Sequence, residues 1–260
     1  RRMVKESRAE LSRTARAVIR GDGGREIPTP LPPGPYSPRL AWALWFGKPR
    51  AETIMTELWE ATFRENQLLW GLEPTASAGF ACDYFARMGV KHVLIPGIGY
   101  GRNAKPFIEH GMSVSGIEIS ETAIALARTQ VGLQIPIHHG SVANMPFDRR
   151  QYDGIFCYGL IHLLDADGRE KLIRDCYRQL TPGGHMIFAA LSKRAPMYGQ
   201  GTRLGDDWYE RLPNLTMYFY DAESVEREFG PYGLVESTEI DESLGGGGSL
   251  PFINVVCRKA

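Results

Sequence analysis

The chain has 260 residues, 43% of them hydrophobic, so it is long enough for one large α/β domain with a real core and an extension. Thirty basic side chains balance thirty acidic ones, and this zero net charge gives no general attraction to nucleic acid or to an anionic membrane. No apolar run approaches the roughly 20 residues that cross a bilayer, so the sequence predicts no membrane span.

The first 50 residues predict an extension. Residues 1–20 carry seven basic side chains, and their apolar residues have the spacing of an amphipathic helix. Such a pattern is typical of a surface helix that packs on the domain. The alternative is a membrane-surface, targeting or partner-binding role. Residues 21–38 open with Gly21, Gly23 and Gly24 and continue with six prolines between Pro28 and Pro38, which favours a wrapping or linking segment. We assign residues 1–50 to this extension and residues 51–260 to one domain.

From residue 51 onward, helical and strand patterns alternate. Strands separated by helices favour a parallel sheet with helices on both faces, and two final strands joined by a glycine loop should be antiparallel. The sequence therefore predicts a doubly wound, mostly parallel seven-stranded sheet with an antiparallel last strand. The predicted helices are 51–69, 75–88 with Thr75 or Ser77 as its cap, 103–110, 121–129, 167–180 and 222–229. The predicted strands are 92–95, 113–117, 135–138, 154–158, 185–190 after a turn at 181–184, 234–240 and 252–257.

The loop after the first strand carries glycine at every second position. These are Gly97, Gly99 and Gly101, and the next strand ends in an acidic residue, Glu118. Glycines let a backbone approach a ligand closely, because they have no Cβ and adopt positive φ at little cost. A carboxylate at the end of the second strand can accept hydrogen bonds from both hydroxyls of a ribose. The arrangement predicts a nucleoside-binding half.

The glycine spacing narrows the choice of nucleoside. A dinucleotide fingerprint needs Gly-x-Gly-x-x-Gly, but here the third glycine comes one residue early and Arg102 follows it. This spacing disfavours a nicotinamide oxidoreductase. The Gly-Lys-Ser/Thr that a Walker loop needs is absent from the chain. Gly-x-Gly-x-Gly, the acidic end of the second strand and the antiparallel last strand together resemble the class I S-adenosylmethionine-dependent methyltransferases, over residues 70–260. The resemblance implies S-adenosyl-L-methionine as cofactor and S-adenosyl-L-homocysteine as its product.

The resemblance implies two groups of cofactor-binding residues. Gly97, Gly99 and Gly101 match the family's first motif, which bends around the methionine and ribose portion of the cofactor. Arg102 and Asn103 open the following helix, whose N-terminal amides favour a carboxylate.

The second group belongs to the adenosine end. Glu118 matches the acidic residue that holds the ribose, and Ile119 the apolar residue beside adenine. Ser141 and Val142 follow the third strand, where the family usually has Gly-Asp; Ser141 could still meet the adenine amino group, although it is neutral.

A further likeness concerns the branch of the family. Many relatives have an acidic residue where this chain has Ile95, whereas Pro96-Gly97 and Trp70-Gly71-x-Glu73-Pro74 resemble the thiopurine and tellurite-resistance branch of small-molecule methyltransferases. This likeness implies that Trp70 lies against the cofactor or substrate. The alternative is a core tryptophan that anchors the N-terminal helix.

Two residues at the end of the fourth strand are candidates for the methyl-transfer site. Transfer is an in-line displacement, in which positioning dominates and a base is needed only if the acceptor must lose a proton. Ligands of open α/β sheets lie beyond the carboxyl ends of the strands, so Tyr158 and His162 are expected to face the methyl group. His162, with an ordinary pKa of about 6.5, is the base candidate. A structural histidine bonded to a loop carbonyl is the alternative.

The acceptor is expected to be a small, partly apolar molecule, methylated on O, N or S. Its lid should come from residues 1–70, 192–220 and 244–250, which are rich in aromatic residues, methionine or glycine. An Asn/Asp-Pro-Pro-Tyr/Phe motif is absent after the fourth strand, which disfavours a DNA or RNA substrate. A non-catalytic cofactor-binding protein on the same fold, with its basic N-terminal helix on a partner, is the alternative function.

The four cysteines indicate a reducing compartment. Cys82, Cys157, Cys176 and Cys257 include no Cys-x-x-Cys pair and no histidine at metal-ligand spacing. They predict reduced core residues rather than a disulfide framework or a zinc site. The sequence thus predicts a cytoplasmic protein without a bound metal.

Overall fold

The computed structural model describes residues 51–243 and 248–260. The predictions for the extension, residues 1–50, and for most of the glycine loop, residues 244–247, lie outside the described residues.

Helices and strands alternate along the described chain, as predicted. The α-helices are α1 (Ala51–Asn66), α2 (Ala76–Arg87), α3 (Lys105–Glu109), α4 (Glu121–Thr129), α5 (Ala166–Gln179) and α6 (Ala222–Phe229). The strands are β1 (His92–Pro96), β2 (Ser113–Glu118), β3 (Ile137–His139), β4 (Tyr152–Tyr158), β5 (Leu180–Leu191), β6 (Thr202–Gly205), β7 (Trp208–Leu212), β8 (Leu215–Tyr218), β9 (Leu234–Ser243) and β10 (Ser249–Arg258).

Seven of these strands form one sheet, in the order β3-β2-β1-β4-β5-β10-β9. Neighbouring strands from β3 to β5 are parallel, and β10 is antiparallel to both β5 and β9. The predicted doubly wound sheet with an antiparallel last strand is therefore confirmed. The strand order reverses between β1 and β4, and at such a switch point a crevice opens beyond the carboxyl ends of the strands.

Side-chain caps set the beginnings of four helices. Thr75, Ser120, Asp165 and Asp221 each accept a hydrogen bond from a backbone N–H in the first turn of α2, α4, α5 and α6, respectively. Each bond satisfies a donor that the helix itself leaves unpaired. Of the two caps proposed for α2, Thr75 is the correct one.

The two faces of the sheet bury two separate hydrophobic clusters. On β4 and β5, Ile155 and Phe188 belong to the cluster under α5 and α6, while Phe156 and Ile187 belong to the cluster under α2 and α3. Successive side chains of a strand point to opposite faces, so a strand covered on both sides reads as a continuous apolar run. This burial explains why the central strands were predictable.

A second sheet was not predicted. Strands β6, β7 and β8 form an antiparallel sheet within residues 192–220. Register shifts lie between Arg203 and Gly205 and between Glu210 and Leu212, and they interrupt the alternation by which strands are recognised. The sheet rises beside the carboxyl ends of β4 and β5.

Several boundaries differ from the prediction, and two of these differences have a physical reason. β3 begins at Ile137, because Pro136 has no N–H to donate to the ladder. The predicted turn at 181–184 lies within β5 as an irregularity: Gly183 has a φ of +77°, and the pairing with β4 shifts register nearby. Among the described residues, no helix is both long and apolar enough to cross a membrane.

Candidate functional site

The glycine loop joins β1 to a single 3-10 turn, Arg102–Ala104. The φ angles of Gly97, Gly99 and Gly101 are +67°, +59° and +82°, a region that side chains other than glycine rarely adopt. The predicted tight loop at the switch point is therefore present, and each of the three glycines is required by its backbone conformation.

Two of these glycines also leave little space for a side chain, so that a leucine would have to shift. A Cβ at Gly101 would lie 2.2 Å from Cδ1 of Leu133, and one at Gly97 would lie 3.0 Å from Cδ2 of Leu160. At Gly99, a Cβ would make only an ordinary contact of 3.7 Å. Tight packing thus accounts for part of the glycine pattern, while Gly99 is held open for another reason.

That reason is its positive φ, and the N–H of Gly99 in this conformation is bonded by the carboxylate of Glu118. Its side chain is 5% exposed, and Oε2 accepts the Gly99 N–H at 2.8 Å. Oε1 accepts the N–H groups of Ile119 and Ser120, each at 2.9 Å. Burial raises the pKa of Glu118, and the three N–H groups oppose that rise. A carboxylate has about four acceptor positions, so Glu118 fastens the glycine loop and retains capacity for a hydroxyl donor.

The two residues that open the helix hold the chain segment before α2. Oδ1 of Asn103 accepts the N–H of Thr75 at 3.0 Å, and Nη1 of Arg102 donates to the carbonyl of Trp70 at 2.7 Å. Both side chains therefore act within the protein. Their contact with a cofactor stays a prediction.

An aromatic cluster covers the glycine loop. The ring of Trp70 stacks on Tyr100 at 6.2 Å between centroids and meets Phe63 edge-on at 5.9 Å. The hydroxyl of Tyr100 accepts the backbone N–H of Trp70 at 3.0 Å and donates to the carbonyl of Gly71 at 2.7 Å. Trp70 thus connects α1 to the loop, and its contact with the cofactor or substrate stays a prediction. Tyr100, which stands between two of the glycines, was missed.

A second anchor of α1 is Glu60, which the sequence also did not reveal. Its carboxylate accepts hydrogen bonds from Oγ of Ser120 at 2.6 Å, and from Oγ1 and N–H of Thr122 at 2.5 and 3.1 Å. Although burial acts to raise it, these bonds lower the pKa of Glu60 to about 2. Ser120 therefore bonds both Glu60 and Glu118, and α1 spans the crevice from the glycine loop to α4.

The turn after β3 holds the residues predicted for adenine. Oγ of Ser141 accepts the N–H of Ala143 at 3.2 Å and so caps a short turn. Val142 is half-buried and packs against the core under α5. The Ser141 hydroxyl hydrogen remains available, and its contact with adenine stays a prediction.

In the structure, Tyr158 and His162 both contact the same ring, that of Phe252 in β10. Tyr158 stacks on it at 5.2 Å, and His162 meets it edge-on at 5.8 Å. Nδ1 of the buried His162 accepts the N–H of Leu191 at 3.3 Å. Burial lowers the pKa of His162 to about 4 and raises that of Tyr158. At neutral pH, both side chains are uncharged.

An apolar cluster, here called the acceptor-side cluster, lies over the ends of β4 and β5. It combines side chains from α1, from the carboxyl end of β4 and from the small sheet formed by β6, β7 and β8. Its half-buried members include Met55, Leu58, Trp59, Tyr158, Tyr209 and Leu212. Nζ of Lys193 fixes the small sheet to the core through Asp207 at 2.7 Å and Asp221 at 2.5 Å. Within the described residues, no three His, Cys, Asp or Glu side chains form a metal-binding group.

Comparison with known proteins gives a family match for the central part of the chain. Residues 93–184, which hold the glycine loop, Glu118 and Tyr158, match the family described as Methyltransferase domain. A ubiquinone biosynthesis O-methyltransferase from Coxiella burnetii is 29% identical over 112 residues, 42% of this chain and 47% of that protein. The homonymous protein of Pseudomonas entomophila is 25% identical over 60% of this chain and 67% of its own. The chain thus spans about half the length of the Coxiella relative.

Solved structures show the same fold. The 1,6-didemethyltoxoflavin-N1-methyltransferase of Burkholderia thailandensis superposes with a TM-score of 0.62 at 18% identity, covering 89% of this chain and 94% of the other. TehB from Haemophilus influenzae gives 0.54 at 18% identity, covering 78% and 67%. The predicted resemblance to class I S-adenosylmethionine-dependent methyltransferases is confirmed.

Proposed function

We propose that this chain, which has the class I methyltransferase fold, transfers a methyl group from S-adenosyl-L-methionine to an O, N or S atom of a small molecule. The observation that carries the proposal is the buried carboxylate of Glu118, bonded to the Gly99 N–H at the switch point of the sheet. The ubiquinone biosynthesis O-methyltransferases and the 1,6-didemethyltoxoflavin-N1-methyltransferase support it, because each is by name a methyltransferase.

The cradle offers groups that fit this cofactor. Glu118 retains an acceptor position for a ribose hydroxyl, half-buried Ile119 offers an apolar wall for adenine, and the positive-φ glycines put no side chain of their own between the loop backbone and a ligand. Gly159, directly after β4, has a φ of +67° and nothing within 4 Å of its missing Cβ, so the crevice stays open there. When bound, S-adenosylmethionine supplies an electrophilic methyl group on its sulfonium.

The residues of this chain contribute mainly positioning. Tyr158 and His162 are held on Phe252, which fixes them at the carboxyl end of β4. The apolar surroundings exclude water from the transfer site, and a fixed geometry can supply on the order of 7–11 kcal/mol of the barrier. The Leu191 N–H at Nδ1 of His162 leaves the ring hydrogen on Nε2, so His162 offers a hydrogen-bond donor.

Titration calorimetry tests the proposal. We expect S-adenosylmethionine and S-adenosylhomocysteine to bind with one site per chain and NAD to give no heat. Transfer of a labelled methyl group to a panel of small phenols, amines and thiols then tests for catalysis. Binding of NAD alone would favour the oxidoreductase alternative. Cofactor binding without transfer to any acceptor would favour the non-catalytic one.

Replacing His162 separates a positioning role from that of a base. We expect His162→Ala to lower turnover and to keep cofactor affinity, because the ring contacts Phe252 and Leu191 but no residue of the glycine loop. His162→Gln should recover most of the turnover, since an amide can both accept and donate but cannot take up a proton at neutral pH. Steady-state kinetics from pH 6 to 9 measure both effects. Equal losses in the two variants would instead assign His162 as the base.

The cysteines bear on the location of the protein, and the acceptor-side cluster bears on the nature of the acceptor. We propose a cytoplasmic enzyme, supported by four free and buried cysteines. Its acceptor is small and partly apolar, in keeping with the aromatic and aliphatic side chains of the acceptor-side cluster.

A further inference from the structure

One half-buried cation of the small sheet, Arg211, has a buried nitrogen without a partner. The Nε atom of Arg211 is buried and has no hydrogen-bond partner. Across the described chain, the ion pairs of arginine and lysine do not include Arg211. Burial lowers its pKa, since no neighbouring charge compensates for the lost water. A buried donor without a partner costs free energy, so the unpaired Nε of this half-buried arginine calls for an explanation.

The other partly buried cations show what a structural role requires. Arg169, nearly fully buried, pairs with Glu228 at 3.0 Å and lies over the ring of Tyr218 at 3.7 Å. Lys193 pairs with two aspartates. Arg211 has no such contact and is therefore not explained as a fastener of the fold.

The backbone places Arg211 at an irregularity of β7. Glu210 pairs with Thr216 and Leu212 pairs with Leu215, so Arg211 is an extra residue on its strand. Such β-bulges re-aim side chains and are over-represented beside active sites. A Cβ at Gly201 of the preceding segment would lie 3.3 Å from Cα of Arg211, so the chain packs closely at the bulge.

The bulge borders the acceptor-side cluster. Tyr209 and Leu212 flank Arg211, and both pack in that cluster with Trp59 of α1 and Tyr158 of β4. Trp208 also has a buried N–H without a partner, but its ring packs against the core under α6, on the other face of the small sheet. The inference therefore rests on Arg211 alone.

We propose that Arg211 binds a carboxylate of the methyl acceptor, so that the substrate is a partly apolar carboxylic acid. A guanidinium matches the two oxygens of a carboxylate with parallel hydrogen bonds, and one unpaired cation balances one negative charge. The apolar neighbours would hold the rest of the molecule against Tyr158. This proposal deepens the proposed methyl transfer and rests on it.

A matched pair of probes tests the proposal on the full chain saturated with S-adenosylhomocysteine. Calorimetry compares 3,4-dihydroxybenzoate with catechol, which lacks the carboxylate. We expect the acid to bind at least about tenfold more tightly, the scale of a charge-assisted bond. Arg211→Met should abolish this preference, and Arg211→Lys should keep part of it. Arg203→Met, which removes an exposed arginine of β6 paired with Asp206, is the control and should change nothing.

Thermal unfolding of the same variants gives a second readout. Because it replaces a half-buried side chain whose buried Nε has no partner with an apolar one, Arg211→Met should leave the melting temperature unchanged or raise it. A clear fall in melting temperature would assign Arg211 to the fold and overturn the proposal. Equal binding of both probes, or binding of neither, with S-adenosylhomocysteine still bound would also overturn it. Failure of S-adenosylhomocysteine itself to bind would overturn the proposed methyl transfer instead.

Discussion

Gly101→Ala is expected to lower the free energy of unfolding by about 2–5 kcal/mol. Alanine at the observed φ of +82° costs roughly 1–2 kcal/mol, because its Cβ approaches the following carbonyl. That Cβ would also lie 2.2 Å from Cδ1 of Leu133, which is 6% exposed and has little room to move. Overpacking of this kind adds about 1–3 kcal/mol. Denaturant unfolding monitored by circular dichroism measures the loss.

Gly111→Ala is the matched control for this substitution. Gly111 has a similar φ, +76°, but a Cβ there would meet nothing within 4 Å. We therefore expect only the backbone cost of about 1–2 kcal/mol. The difference between the two variants isolates the contact with Leu133. Equal losses would mean that Leu133 adjusts freely, and that packing does not require a glycine at position 101.

The core of the fold and the glycine loop with its carboxylate could be predicted because their signals are local. Gly97, Gly99, Gly101 and Glu118 fall within 22 residues, and their spacing follows from one strand, one turn and the next strand. The parallel strands between helices are buried on both faces and read as apolar runs. Neither signal depends on distant parts of the chain.

The cover of the site could not be predicted because it depends on contacts between distant residues. Glu60 resembles a surface residue paired with Arg64 one helical turn away, yet its carboxylate reaches Ser120 and Thr122, about 60 positions along the chain. Tyr100 reads as an ordinary loop residue until its hydroxyl is seen between Trp70 and Gly71. Bulges also hid the strands of the small sheet and the arginine at one of them.

These contacts between distant residues connect the glycine loop to the rest of the site. The loop is bonded to Glu118 from below and covered by Trp70, Tyr100 and Phe63 from above. Glu118 and Glu60 also share Ser120 as a hydrogen-bonding partner. The floor of the crevice and its cover are therefore one connected structure. A substitution at Glu118 should therefore affect both the floor of the crevice and its cover.

Glu118→Ala is expected to weaken S-adenosylhomocysteine binding by about 1.5–3 kcal/mol, roughly 10- to 150-fold in Kd. The variant removes the acceptor for a ribose hydroxyl and also frees the Gly99 N–H, which orients the loop. Glu118→Gln keeps the shape of the side chain, but its amide nitrogen faces an N–H that needs an acceptor, so we expect a loss of similar size. Calorimetry at pH 7.5 measures both, at a temperature where circular dichroism shows each variant folded.

Glu121→Ala is the control for charge alone. Glu121 lies three residues further on, in the first turn of α4, and its side chain is 80% exposed. It carries the same charge as Glu118 but makes no bond to the glycine loop, so cofactor affinity should change by less than about 0.5 kcal/mol. Unchanged affinity in Glu118→Ala would reject the ribose assignment. If Glu121→Ala lost as much cofactor affinity as Glu118→Ala, the electrostatic field at the start of α4, and not the buried carboxylate, would be what attracts the ligand.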